Sequence, residues 1–344
     1  MGQEQSPSAV VSQASVSTEL LRRIDRFVDL FDRLRKRHRW AEGTFAKLSA
    51  IALSAVRNRA DEMEDDLDRA DAIARKDSSF FPGLFPVRRF VLATILLGSG
   101  EEPKKALKEH QRVREHLGTL GFGKGDPAAI AALILFLGSR GKAVGEESIR
   151  KAIALWEKMR ERRWLPADRD DLPMAALLTS SAWDVDTIDE RVDTIHQALV
   201  RAKIGRSAAL PLIAHVLTLS RLDEDVVVKR YGHVLDELKR AGIKAPADCL
   251  DEVALLSLLP GDESSIVEGF SRVTRALRGR KGLRFTPSVA FGVSSGIVLG
   301  ACLERGALLG EALNAGLFHN AEVLFQAEAA AVAGFGAASL AAAS

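Results

Sequence analysis

Two patterns of apolar residues alternate along this chain. The first is a short, almost continuously apolar run that restarts at Phe45, Phe85, Pro127, Leu172, Leu210, Leu250 and Val289. These starts lie roughly 40 residues apart, the spacing of helical-hairpin repeats. Each run predicts a first helix, A, and the prolines in several opening turns suit it, because a helix's first amides have no internal partner to lose. The second pattern is a stripe. Ile188, Val192, Ile195 and Leu199 are spaced four, three and four apart, as are Ile266, Phe270, Val273 and Leu277, while Leu107, Val113, Leu117 and Leu120 follow it more loosely. This predicts amphipathic second helices, B, with charges on the opposite face. One such hairpin cannot bury its own stripe, so neighbouring units must stack.

Boundary residues agree with that reading. Asp186, Asp223 and Asp262 precede B helices as caps, where a carboxylate accepts from unbonded amides. Gly121-Phe122, Gly242-Ile243 and Gly282-Leu283 follow B helices, with glycine suited to the left-handed turn and the next apolar residue folding back. The predicted fold class is all-α: a helical-hairpin repeat array, α-solenoid-like, closed by a small-residue C-terminal helical segment. Its expected divisions are a disordered Ser/Gln/Ala-rich tail over 1–18, hairpin repeats over 19–285, and apolar Ala/Gly-rich helices over 286–344.

The Leu-Pro-x-x-Ala openings at Leu172 and Leu210, the segment Phe27 to Trp40 and the Ala-rich final helix resemble an uncharacterised bacterial all-helical family, domain of unknown function 4003. The likeness covers roughly residues 20 to 340. It implies no activity and carries no catalytic residue.

Composition narrows the classes further. The 344 residues are 47% hydrophobic, enough for a substantial core in one array or two domains. Two cysteines, Cys249 and Cys302, stand far apart in apolar helices and predict buried thiols, with no disulfide framework and a reducing cytoplasm. The weakly charged stretches Val289 to Leu303 and Ala327 to Ala343 fall short of the roughly twenty residues a spanning helix needs. No transmembrane span is therefore expected. The small residues predict close helix packing in the core or in a homo-oligomer through the C-terminal helices.

Few residues carry recognisable chemistry. The chain lacks His-Glu-x-x-His, a phosphate-binding Gly-x-x-x-x-Gly-Lys-Ser/Thr, Gly-x-Ser-x-Gly and Cys-x-x-Cys. The acidic run Asp61 to Asp68 could gather around magnesium, but its position at a B-helix start is what the helix dipole favours. His110 and His116 are six apart and face differently, and His196, His215 and His233 sit on separate helices. In the C-terminal region Glu311, Asn314, His319, Asn320, Glu322, Gln326 and Glu328 interrupt small apolar sequence. Buried polar groups there would need partners, which makes Glu311, Asn314, His319, Asn320, Glu322 and Gln326 the candidate ligand-binding set. No metal ligands are assigned, and the sequence names no cofactor.

Charge is nearly balanced at +2 but unevenly placed. Acids gather at A-to-B turns, including Asp184, Asp186, Asp189, Asp223, Glu224, Asp225, Asp262 and Glu263. Cations gather at the ends of B helices: Arg162, Arg163, Lys203, Arg206, Lys239, Arg240, Lys244, Arg278, Arg280, Lys281 and Arg284 form a candidate basic edge. Dipole complementarity accounts for such an arrangement, and a phosphate-bearing partner would use it. Few aromatics accompany these loops, so nucleic acid is the minor alternative. The leading expectation is a non-enzymatic protein or peptide interaction module of helical-repeat type. The alternative of another class is a small-molecule or metal-dependent enzyme with its pocket at the C-terminal helices.

Overall fold

The computed structural model describes residues 7–37, 63–76, 90, 93–94, 103–123, 126–139, 142–161, 171–179, 183–204, 209–220, 222–259, 261–280, 283 and 285–306. Among these residues there are twelve α-helices and no strand. They are α1 (Pro7–Arg37), α2 (Met63–Lys76), α3 (Pro103–Leu117), α4 (Asp126–Gly138), α5 (Glu146–Glu161), α6 (Leu172–Leu178), α7 (Val185–Arg201), α8 (Leu210–Thr218), α9 (Glu224–Arg240), α10 (Leu250–Ser257), α11 (Glu263–Arg278) and α12 (Pro287–Gly306).

The two sequence patterns become two layers. The continuously apolar runs form inner helices: every residue of α6 except Pro173 is buried, and Ala128 through Phe136 of α4 are buried without interruption. A helix with no polar face has to be covered on all sides. The striped segments form outer helices, with Ile188, Val192, Ile195 and Leu199 of α7 buried and Glu190, Thr194 and Gln197 exposed. Consecutive helices pair as α3 with α4, α5 with α6, α7 with α8, α9 with α10 and α11 with α12. The inner helices α4, α6, α8, α10 and α12 pack in chain order, as do the outer helices α5, α7, α9 and α11. Their buried apolar side chains form a single cluster.

A linear array would leave the first helix apart from the last pair. Instead α1 packs on both α11 and α12. Its stripe of Leu20, Ile24, Phe27, Phe31 and Leu34 is buried, and the rings of Phe27 and Phe31 meet Phe285 at 6.4 and 5.7 Å. This long-range closure has no local signal in the sequence. α1 also begins at Pro7, inside the stretch whose composition suggests a tail.

Helix boundaries follow the expected chemistry with two changes. Asp262 caps α11, its carboxylate accepting from the Ser265 amide at 2.9 Å. At α7 the cap is Asp184, accepting from Thr187 at 2.8 Å, and Asp186 lies in the first turn. Asp223 makes no side-chain cap to α9, whose start is held by an arginine described below. Beyond α9, Gly242 (φ +72°) takes the left-handed position and Ile243 donates back to Leu238 at 2.8 Å. Gly121 (φ +93°) does likewise in a π-turn after α3, whereas Gly282 lies outside the described residues.

Candidate interaction surface at the ends of the helix pairs

Each outer helix from α3 to α9 carries a charged side chain that reaches across to the turn after its inner partner. In α3, Arg112 donates to the Val144 carbonyl at 2.7 Å while Glu109 accepts from the Val144 amide at 2.7 Å. Lys151 of α5 donates to Thr179 at 3.5 Å. Arg191 of α7 reaches the Ser220 carbonyl at 3.1 Å, the Leu222 carbonyl and the Glu224 carboxylate. Arg230 of α9 donates to Ser257 and Leu259 at 2.7 Å and to Gly261 at 2.6 Å, with Glu263 at 3.7 Å. The cations recur at intervals of about forty residues, the spacing at which the apolar runs restart in the sequence. Each donates to carbonyls at the end of an inner helix or in the turn that follows it, near the acidic start of the next outer helix. Arg191 also lies over Trp183 at 4.4 Å, and burial pushes its pKa down despite the Glu224 carboxylate.

These clasps account for the acidic turns. Glu224 and Glu263 face the clasp arginines, Asp186 pairs with Lys158 at 2.6 Å, and Glu146 meets His116 at 3.0 Å. Asp184 and Asp262 accept cap hydrogen bonds. The Ser264 hydroxyl, followed by Ser265, holds the Asp262 carboxyl down to about 2, and the Thr187 amide lowers that of Asp184. Most of the negative charge at this end therefore has a structural partner. The clasp was not anticipated from sequence, although its signal is present as a cation at one register of successive striped helices.

The opposite end differs. Lys203 follows α7, Lys239 lies in the last turn of α9, Lys244 follows it, and Arg278 ends α11; all four are exposed, with no ion pair among the described residues. Arg240 is exposed but held by Glu237 at 2.6 Å, and Arg280 pairs with Asp25 of α1. Lys203 has φ +53°, the left-handed position that Gly242 fills in the next pair, and Ile204 donates back to Leu199 at 3.2 Å as Ile243 does to Leu238. A lysine there is disfavoured by about 1 kcal/mol relative to glycine. Arg162, Arg163, Arg206, Lys281 and Arg284 lie outside the described residues. The fold thus brings Lys203, Lys239, Lys244, Arg278 and Arg280 to the same ends of adjacent outer helices.

The other sequence candidates are dispersed. Glu311, Asn314, His319, Asn320, Glu322 and Gln326 all lie outside the described residues. Asp68 and Asp71 of α2 pair with Arg37 of α1, the latter at 2.7 Å, so part of the acidic segment fastens two helices together. His110 is buried in α3, donating from Nε2 to Ala129 at 2.8 Å; burial pushes its pKa down to about 4. His215 is buried in α8, whereas His233 is exposed. Cys249 is a buried thiol whose pKa burial raises, donating to the Ser288 carbonyl at 3.5 Å. Among the described residues no group of three His, Cys, Asp or Glu is placed to hold a metal, and no helix is long and apolar enough to cross a membrane.

A family model described as a protein of unknown function (DUF4003) matches residues 22–330. The chain belongs to this family. The match runs from within α1, taking in Ile24, Phe27, Phe31 and Leu34 of its buried stripe, past the end of α12, so the second half of the closing helix and the pairs it closes lie within the family's extent. No curated protein and no solved structure matches the chain.

Proposed function

We propose that this member of the DUF4003 family is a non-enzymatic interaction module of helical-repeat type, and that its basic end docks an acidic segment of a partner protein. The observation that carries the proposal is the asymmetry between the two ends. Helix dipoles alone would place acids and cations alike. Here most of the acids, among them Glu224, Glu263, Asp184 and Asp262, are taken up by clasps and caps, while Lys203, Lys239, Lys244 and Arg278 stand exposed without ion pairs among the described residues. The left-handed Lys203 adds to this, because a charge is kept where the backbone favours glycine. Outer helices packed side by side set their ends about 10 Å apart, a spacing that carboxylates along an extended peptide can span.

An acidic protein segment suits this edge better than nucleic acid. Asp25 and Glu237 lie among the cations and neutralise Arg280 and Arg240, and the net charge is only +2. Tight nucleic-acid binding draws on about six to ten phosphate contacts and a strong positive field.

The test is fluorescence anisotropy with a labelled Glu/Asp-rich peptide, single-stranded DNA and double-stranded DNA, at low and near-physiological salt. The wild-type chain is compared with one carrying Lys203→Gln, Lys239→Gln, Lys244→Gln and Arg278→Gln. The expected result is peptide binding that the quadruple variant loses by about tenfold or more, as removal of several charge-assisted contacts requires. Absence of peptide binding at low salt, or indifference to the substitutions, rejects the proposal. Tighter binding to DNA than to peptide assigns the edge to nucleic acid instead.

A further inference from the structure

We infer that the last turn of α1 completes the basic edge, and that the acidic partner segment is an extended stretch of about ten residues reaching from Lys203 to Arg35. The inference rests on the docking edge proposed above and names its far end and the length of its partner. α1 comes from the start of the chain yet takes the outer position beyond α11: α12 packs on both α11 and α1, as α8 packs on both α7 and α9. It also runs in the same direction as the outer helices. Leu20 stands beside Gly269 in the middle of α11, where an added Cβ would lie 3.7 Å from Leu20 Cδ1. Asp25 then pairs with Arg280, just past the end of α11, and Phe27 and Phe31 meet Phe285 in the segment leading into α12. Contacts in that order place the C-terminal end of α1 at the basic end of the array.

α1 continues beyond the level at which α11 ends. Residues 32–37 follow Phe31, about 9 Å of helix, and its last turn carries Arg35, Lys36 and Arg37. Arg37 is taken by Asp68 and Asp71 of α2. Arg35, two residues earlier, points to the other side of α1. It lies one helical turn after Phe31, and its guanidinium stands 5.8 Å from the Phe31 ring that meets Phe285. Arg35 and Lys36 are exposed, with no ion pair among the described residues, as are Lys203, Lys239, Lys244 and Arg278. The cations therefore follow one another across α7, α9, α11 and α1. Axes about 10 Å apart set the first and last of these helix ends about 30 Å from each other, which an extended chain crosses in about ten residues, with a carboxylate at about every third facing one helix end. Asp25, Asp29 and Asp32 are exposed along the body of α1 and repel further carboxylates, so the segment ends at Arg35. Asp248 precedes the inner helix α10, behind this row, and accepts from the Ser288 hydroxyl at 2.9 Å.

Fluorescence anisotropy of the full-length chain at low salt tests the inference with two labelled peptides that carry glutamate at every third position, one of about ten residues and one of about four. The longer peptide is expected to bind about tenfold more tightly or better, because it reaches all four helix ends. Arg35→Glu should weaken the longer peptide by about tenfold and the shorter by less than about twofold, and Arg35→Gln, which removes the charge without reversing it, should weaken the longer one by about threefold. Lys229→Glu makes the same change in net charge at an exposed position in the first half of α9, away from the edge, and should alter either affinity by less than about twofold. A longer peptide that binds no more tightly than the shorter, or an Arg35→Glu effect that matches Lys229→Glu, overturns the inference and leaves the edge ending at Arg278. Absence of binding by both peptides in the wild type rejects the docking edge itself, and this extension with it.

Discussion

Replacing Arg230 by methionine tests whether the recurring clasp is a principal tie between helix pairs. Methionine keeps an unbranched apolar stem of comparable reach, so the packing of the arginine methylenes is largely retained and the loss falls on the guanidinium. That group donates to Ser257 and Leu259 at 2.7 Å and to Gly261 at 2.6 Å, and lies 3.7 Å from Glu263. A hydrogen bond to a charged group contributes about 1.5–3 kcal/mol, although part of the three-bond total returns when water reaches the freed carbonyls. With one-fifth of the arginine side chain exposed, the expected net loss is about 3 kcal/mol. For a chain of this size that lowers Tm by about 4 °C. Urea unfolding followed by circular dichroism at 222 nm measures the change, with Arg240→Met as the control. Arg240 is exposed and, among the described residues, is paired with Glu237 of its own helix, so its loss should be below about 0.5 kcal/mol. Arg230→Lys should recover about a third of the lost stability, since an ammonium cannot span three divergent carbonyls. A loss below about 1 kcal/mol for Arg230→Met, or one matching Arg240→Met, would refute the reasoning.

Three further outcomes follow from local geometry. Lys203→Gly should stabilise the fold by about 0.5–1 kcal/mol in the same urea assay, because Lys203 holds φ +53°; a net loss would show that its side chain has a stabilising partner. Gly269→Ala should gain about 0.8 kcal/mol of helix propensity, since the new methyl meets Leu20 at an ordinary 3.7 Å, and destabilisation would mean the seam against α1 is tighter than that. His110 has a pKa of about 4 when folded and 6.5 when unfolded, so above pH 6.5 neither state is protonated there and its contribution is constant. Between pH 6.5 and 4 the unfolded chain binds a proton that the native state refuses, and stability should fall by about 3 kcal/mol in total. Unfolding free energies measured from pH 7 to pH 4 should lose that component in His110→Gln, and identical pH profiles for the two proteins would exclude it.

The helices themselves were legible from spacing. Ile266, Phe270, Val273 and Leu277 announce one buried face of α11, and Leu210 to Thr218 a helix without a polar face, because side-chain period and burial are local properties of the backbone. The cap at Asp262 and the glycine at Gly242 were legible for the same reason. Asp223 was misleading. Its position suits a cap, yet the start of α9 is held instead by Arg191, some thirty residues earlier in the chain, which bonds the Leu222 carbonyl and Glu224.

The meaning of the charges was not legible. An acid at an outer-helix start looks the same in sequence whether it serves a dipole, a cap or an arginine from the preceding helix, and only packing distinguishes Glu263 from Asp223. Likewise Arg230 and Arg240 are both cations of α9, one directed into three carbonyls and the other outward to Glu237. Closure lay furthest from local pattern. Leu20, Ile24 and Phe27 predict that α1 buries a stripe, but not against what, and Gly269 reads as an ordinary weakness in a helix until Leu20 is set beside it. The sequence by itself determined where the chain coils and which face of each helix seeks cover, because those depend on neighbours three and four residues away. Which helix supplies the cover between residues as distant as Asp25 and Arg280 was decided by the tertiary structure, through shape and charge complementarity that exist only once both surfaces have formed.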